Sequence, residues 1–231
     1  MRRLPKLITK VFLLVVLAAS CGRFQESGDQ HALKGFRLLS QGDYPDAARH
    51  LETALQKGLS EQKYEVVYTC LGNAYNEMGE FDKSIQMHKK ALDTDPSFHE
   101  AWVNLGIVYR LTGEFEEAER CYSKALELNP DYAELHVSLG SLYIHQQRYE
   151  EAVQELERAV SLDGRLPVAW GNLALAYATV AEFDKAEAAL KKAVLLGYRN
   201  GRGVQERISA LRALAEESED RGNTPDGDDP E

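Results

Sequence analysis

Between His99 and Tyr132 two runs of apolar residues recur at helical spacing. Trp102, Leu105, Gly106 and Tyr109 mark the first, Gly113-Glu114-Phe115 interrupts it, and Ala118, Tyr122 and Ala125 resume the period until Asn129-Pro130 stops it. The pattern predicts a hairpin of two helices. Moved forward by 34 residues, Leu105, Gly106, Tyr109, Ala118 and Ala125 become Leu139, Gly140, Tyr143, Ala152 and Ala159; moved back, they become Leu71, Gly72, Tyr75, Ser84 and Ala91. A hairpin that recurs at a fixed period buries its apolar face only against its neighbours, so the expected class is an all-α solenoid.

Five units follow from this phase: 28–61, 65–98, 99–132, 133–166 and 167–200. The second carries Tyr68 and His88 in the positions of Trp102 and Tyr122 and closes on Pro96. The fourth carries His136 and Leu156, with Gly164 where proline would stand. The fifth carries Trp170, Leu173, Ala174, Tyr177, Ala186, Leu190 and Ala193. An aromatic keeps phase near every turn: Tyr44, Phe81, Phe115, Tyr149 and Phe183. The first unit is irregular. Gly35, Leu38, Gly42, Ala47, Leu51 and Ala54 align with the second at an offset of 37, which places three extra residues around Lys57 to Lys63. Lys34 replaces a leucine there, as suits an outer hairpin with no neighbour before it. After Asn200-Gly201, the stripe Val204, Ile208, Leu211 and Leu214 predicts a helix over 201–217 that caps the last hairpin. Residues 218–231 have no apolar periodicity and are expected to form a disordered acidic tail.

The N-terminus reads as an address. Arg2, Arg3, Lys6 and Lys10 precede the apolar run Val11 to Ala19, and small residues lead to Cys21. The run is far shorter than the ~20 residues needed to span a bilayer as a helix. Leu17-Ala18-Ala19-Ser20-Cys21 resembles the bacterial lipobox, with Ala18 where leucine is commonest. The resemblance implies a signal peptide over 1–20, a diacylglycerol thioether on Cys21 and a linker over 21–27. It places the chain in the bacterial cell envelope, facing the periplasm, and Gly22 after the cysteine favours the outer membrane. More than one acyl chain supplies the double signal that stable anchoring requires. Removal of 1–20 takes the formal charge from −10 to −14, and residues 216–231 carry net −7 of it. The remaining body has no dense Lys/Arg stripe, so nucleic acid is not expected as a partner.

The recurring residues, from the W/L/Y position at Trp102 through the closing proline, resemble the tetratricopeptide repeat over about residues 28 to 200. The resemblance implies a right-handed superhelix and a concave groove lined by the first helix of each unit. Carried over position by position, it assigns to that groove Asn73, Asn76, Asn104, Arg110, Ser138, Ser141, His145 and Asn172, with Val103, Ile107, Val137, Ile144 and Leu175 between them. Asparagine is a poor residue for a helix interior, and in the family such asparagines hold an extended peptide by its backbone. Co-chaperone members add cations that grip a C-terminal carboxylate. Here Thr69, Glu134 and Ser138 stand in those places, so such a clamp is not expected.

No catalytic set is visible. The six histidines (31, 50, 88, 99, 136 and 145) form no H-E-x-x-H, no G-x-S-x-G or P-loop occurs, and Cys21, Cys70 and Cys121 lie at no metal or redox spacing. His88, His136 and the tyrosines at 75, 109, 143 and 177 fall on core positions, and Cys70 and Cys121 read as free, partly buried thiols. No cofactor, metal site or enzymatic activity is expected. The expectation is a lipid-anchored scaffold that binds a protein or extended peptide in its groove, in the assembly of an envelope complex. The alternative is a regulatory cofactor of a peptidoglycan-modifying enzyme.

Overall fold

The computed structural model describes residues 26–222, with side chains to 218. Residues 1–25, which include the expected signal peptide and Cys21, and residues 223–231 of the expected tail lie outside the described residues. Within them the chain forms eleven α-helices and no strand. They are α1 Gly28–Gln41, α2 Tyr44–Lys57, α3 Tyr64–Glu77, α4 Phe81–Thr94, α5 His99–Thr112, α6 Phe115–Leu128, α7 Ala133–His145, α8 Tyr149–Leu162, α9 Pro167–Thr179, α10 Phe183–Leu195 and α11 Gly201–Gly222.

One turn closes every hairpin. Its left-handed residue is Gly42, Gly79 or Gly113 in the first three units, but Gln147 and Ala181 in the last two, each at φ 60°. The following amide then reaches back to the carbonyl five residues earlier: Glu80 to Tyr75, Glu114 to Tyr109, Arg148 to Tyr143 and Glu182 to Tyr177, at 2.8–2.9 Å. These bonds satisfy a carbonyl that the helix end leaves open. Between hairpins a second device repeats. The ring N–H of Trp102, His136 and Trp170 donates to the carbonyl six residues before it, at Pro96, Pro130 and Gly164, 2.9 Å in each case. The aromatic position of the repeat therefore fixes the loop as well as filling space.

Packing within a hairpin is close enough to demand glycine. A Cβ on Gly106 would lie 2.5 Å from the Tyr122 ring, and one on Gly72 would lie 2.6 Å from the His88 ring. The alanines facing them, Ala47, Ala91, Ala118, Ala125, Ala152 and Ala159, are wholly buried. Three apolar clusters run the length of the stack, joined through Tyr68 and Tyr143. First helices of successive hairpins touch one another, while second helices touch first helices and, in the last hairpin, the capping helix, but not one another. The first helices consequently line the inside of the curve and the second helices splay on its outside.

The three extra residues of the first unit are fastened from α1. Asp29 accepts from the Ser60 hydroxyl at 2.5 Å and from the amides of Ser60, Glu61 and Gln62 at 2.9–3.2 Å. The Ser60 hydroxyl and the Gln62 amide lead the causes that hold its pKa down at about 2. At the other end α11 packs on α9 and α10. Val204 and Ile208 are buried and Leu211 is half-buried, but Leu214 is 61% exposed, and the helix runs on to Gly222. The packed face continues through Arg212 and Ala215, which lie against the turn and first residues of α10, so Leu214 falls off that face rather than on it. Residues 218–222, expected in the disordered tail, belong to this helix.

Candidate interaction groove

The inner face holds a recess of about 690 Å³ formed by α5, α7, α9 and α11. Ile107, Val137, Ile144, Val168 and Leu175 give it an apolar floor. Arg110, Ser138, Ser141, His145, Asn172 and Arg207 supply its polar groups, with Gln147 and Tyr149 at the turn end. Positions three or four residues apart on a helix share one face, which is why Ile107 sits beside Arg110, and Ser141 beside Ile144 and His145.

Five of the polar candidate residues, Arg110, Ser138, Ser141, His145 and Asn172, come together here. Their hydrogen bonds are partly committed within the chain. Asn172 donates to the Ser141 hydroxyl at 2.9 Å, leaving its carbonyl oxygen and one N–H. Ser138 is 93% buried, with its hydroxyl on the Glu134 carbonyl, and Ser141 bonds back to Val137 in the same way. Arg110 donates to His145 Nε2 at 3.1 Å, which requires the neutral imidazole. Burial first, and then the Arg110 charge, lower the His145 pKa, so this is the form held at neutral pH. Beneath them lies the fully buried Tyr122. Burial pushes its phenol up to about 12, against the pull of Arg110, and its hydroxyl lies within reach of Arg110 and Ser138 without a well-aligned bond to either.

Asn73, Asn76 and Asn104 are half-buried on α3 and α5, outside this recess. Asn76 Oδ1 is buried without a partner. Val103, expected in the groove, is instead 97% buried in the central cluster, because the neighbouring first helices close over it. Arg207, Tyr149 and Val168 were not among the sequence candidates. Val168 occupies the second position of its unit and was legible from phase alone. Arg207 comes from the capping helix, which has no repeat phase to read.

The larger cleft, about 1010 Å³, opens on the outer face between α4 and α6. Lys89, Lys124, Arg120, Asp93, Glu116 and Glu119 interleave around it. It is the gap left where second helices splay, and its lining carries charges of both signs. The tyrosine positions are structural. Tyr75 and Tyr177 are buried and donate to Glu52 and Glu157 on the preceding hairpins, the latter at 2.6 Å, while the Arg148 guanidinium stacks on half-buried Tyr143 at 4.1 Å. Cys70 and Cys121 are free thiols that burial raises to about 11 and about 12. His136 is more than a core residue: Glu155 meets its Nδ1 at 2.6 Å and raises its pKa. Among the described residues no group of three His, Cys, Asp or Glu could hold a metal, and no helix is long and apolar enough to cross a membrane.

The sequence matches the tetratricopeptide repeat at residues 31–53, 99–132, 121–154 and 167–196, and the TPR repeat at 72–113. The curated relatives G-protein-signaling modulator 1 of Mus musculus and of Rattus norvegicus are each 35% identical over 71 residues, 30% of this chain. The chain spans about a tenth of the length of those relatives. A thermophilic TPR protein of Thermus thermophilus superposes with a TM-score of 0.68 at 21% identity, over 80% of this chain and 98% of its own. The APC/C hetero-tetramer Cut9-Hcn1 gives 0.74 at 18% identity, over 88% of this chain and 40% of its own, and MamA gives 0.54 at 24%, over 73% and 96%. At these identities the likeness is one of fold.

Proposed function

The chain belongs to the tetratricopeptide repeat family of protein–protein interaction scaffolds, and on that premise we propose that it is an adaptor taking an extended peptide or protein segment along its inner face. The observation that carries this reading is the recess itself. A floor of five aliphatic side chains is bordered by polar groups from four helices, so the recess offers apolar surface and hydrogen-bonding groups side by side, as a peptide's side chains and backbone together require. A partner buries the floor and meets the polar rim. Nothing in the recess supplies a nucleophile with a base beside it, since the neutral His145 accepts from an arginine rather than from a hydroxyl or thiol.

The adaptor is further proposed to be lipid-anchored through Cys21 and to work at the periplasmic side of the envelope, in the assembly of a multiprotein complex. The lipobox-like sequence before Cys21 supports this. A photo-crosslinking amino acid placed in cells at Val168, in the groove, is compared with one at Lys124, on the outer face. Crosslinks to a discrete partner from Val168 alone are expected; equal yields from both positions, or none from Val168, would reject the groove. For the anchor, Cys21→Ser should move the protein from the membrane to the soluble fraction, and unchanged membrane association would reject lipidation.

A further inference from the structure

The lining of the groove is positively charged in a molecule that is acidic overall. The chain has a formal charge of −10, yet none of the residues lining the inner recess is Asp or Glu, and two are arginines. Elsewhere arginines are matched: Arg49, Arg120, Arg148, Arg158, Arg165, Arg202 and Arg212 each pair with a carboxylate. Among the described residues Arg37, Arg110, Arg199 and Arg207 form no such pair, and two of those four face into this one recess.

Arg110 is also held in place. Its Nη1 rests on His145, and the guanidinium lies close to the hydroxyl of the fully buried Tyr122. These contacts orient the guanidinium but bring it no carboxylate, and its remaining N–H donors are left for an acceptor in the recess. A neutral imidazole supplies hydrogen-bond capacity and no countercharge. The acids of α5 and α7, Glu100 and Glu134, sit in the first turns of their helices, while Arg110 lies in the last turn of α5.

We propose, building on the groove reading above, that the recess selects an acidic peptide segment of a partner protein, one that sets aspartate or glutamate side chains against Arg110 and Arg207 and aliphatic side chains against Ile107, Ile144, Val168 and Leu175. Guanidinium with carboxylate gives paired, charge-assisted hydrogen bonds in a fixed geometry, and an aliphatic residue on either side covers the floor. This differs from a grip on a chain terminus: the ligand groups are side chains, and the cations lie on α5 and on the capping helix. An acid-free groove in an acidic body also steers such a segment to the inner face and repels it from the outer one.

The test uses the full chain and fluorescence anisotropy with labelled hexapeptides, acetylated and amidated so that only side chains bear charge. One alternates leucine with aspartate, one leucine with asparagine, one leucine with lysine. The aspartate peptide should bind about tenfold or more tightly than its asparagine isostere, and should lose affinity as salt is raised. Arg110→Met and Arg207→Met should each remove most of that preference. Arg207 is exposed, so its variant keeps the fold even if replacing Arg110 loosens the hairpin, and Arg207→Lys should restore part of the effect. Equal binding of the aspartate and asparagine peptides, or full preference in both arginine variants, overturns the proposal. So does binding that appears only after residues 223–231 are deleted, since the acidic tail would then be the occupant. The crosslinking experiment separates the two readings: Val168 crosslinks with no charge preference sink the acidic partner alone, whereas their absence sinks the groove.

Discussion

Replacing His88 with leucine should flatten the acid side of the stability profile. His88 occupies the repeat position held by Leu51, Leu156 and Leu190 in other hairpins. It is fully buried against Gly72, and neither ring nitrogen has a hydrogen-bond partner. Burial lowers its pKa from 6.5 to about 4. The folded state therefore refuses a proton that the unfolded chain accepts between those two values, and stability falls as pH drops through that window. The whole span is worth about 3 kcal/mol at ~1.4 kcal/mol per pKa unit, of which about 2 kcal/mol is lost between pH 7.5 and 5. For a chain of this length that loss corresponds to roughly 4–8 °C in melting temperature. Burial also lowers His31, His50 and His145, adding to the wild-type slope, while Glu155 raises His136 and opposes it. His88→Leu removes one share of the slope and leaves the others. It should also gain about 1–3 kcal/mol at pH 7.5, since an orphaned polar group leaves the core. Thermal melts by circular dichroism at pH 7.5 and 5.0 read both effects. If the variant loses as much stability on acidification as the wild type, the ring is not buried neutral and the hairpin is packed otherwise.

Four further substitutions probe the frame. Ala181→Gly and Gln147→Gly relieve left-handed residues in the last two hairpin turns, so each should raise stability by about 1 kcal/mol in a urea titration, and a loss in both would deny the turn geometry. Gly106→Leu drives a side chain into the Tyr122 ring and should cost about 1–3 kcal/mol; an unchanged melting temperature would show that the two helices do not meet there. Asp29→Ala frees the loop over 58–63 from its hydrogen bonds. Trypsin should then cut first at Lys57 or Lys63, and an unaltered cleavage pattern would mean that the loop is held by something else.

The period of 34 residues, the small residue that lets each hairpin close and the irregular first unit are all legible in the sequence, because each repeats a local steric demand. The same helical spacing that puts Leu105 and Tyr109 on one face puts Ile107 and Arg110 on another, so much of the groove follows from phase. What phase cannot show is how far neighbours close over a position. Val103 and Ser138 have the right register for the inner face, and the approach of adjoining first helices decides that the one is sealed and the other nearly so. Nor does the sequence show that His145 lies against Arg110, 35 residues away, or that the capping helix delivers Arg207 to the same recess. Local periodicity is a property of consecutive residues. Charge left unmatched in a groove is a property of the stacked whole, because it depends on which carboxylates the curvature brings near and which it carries to the outside.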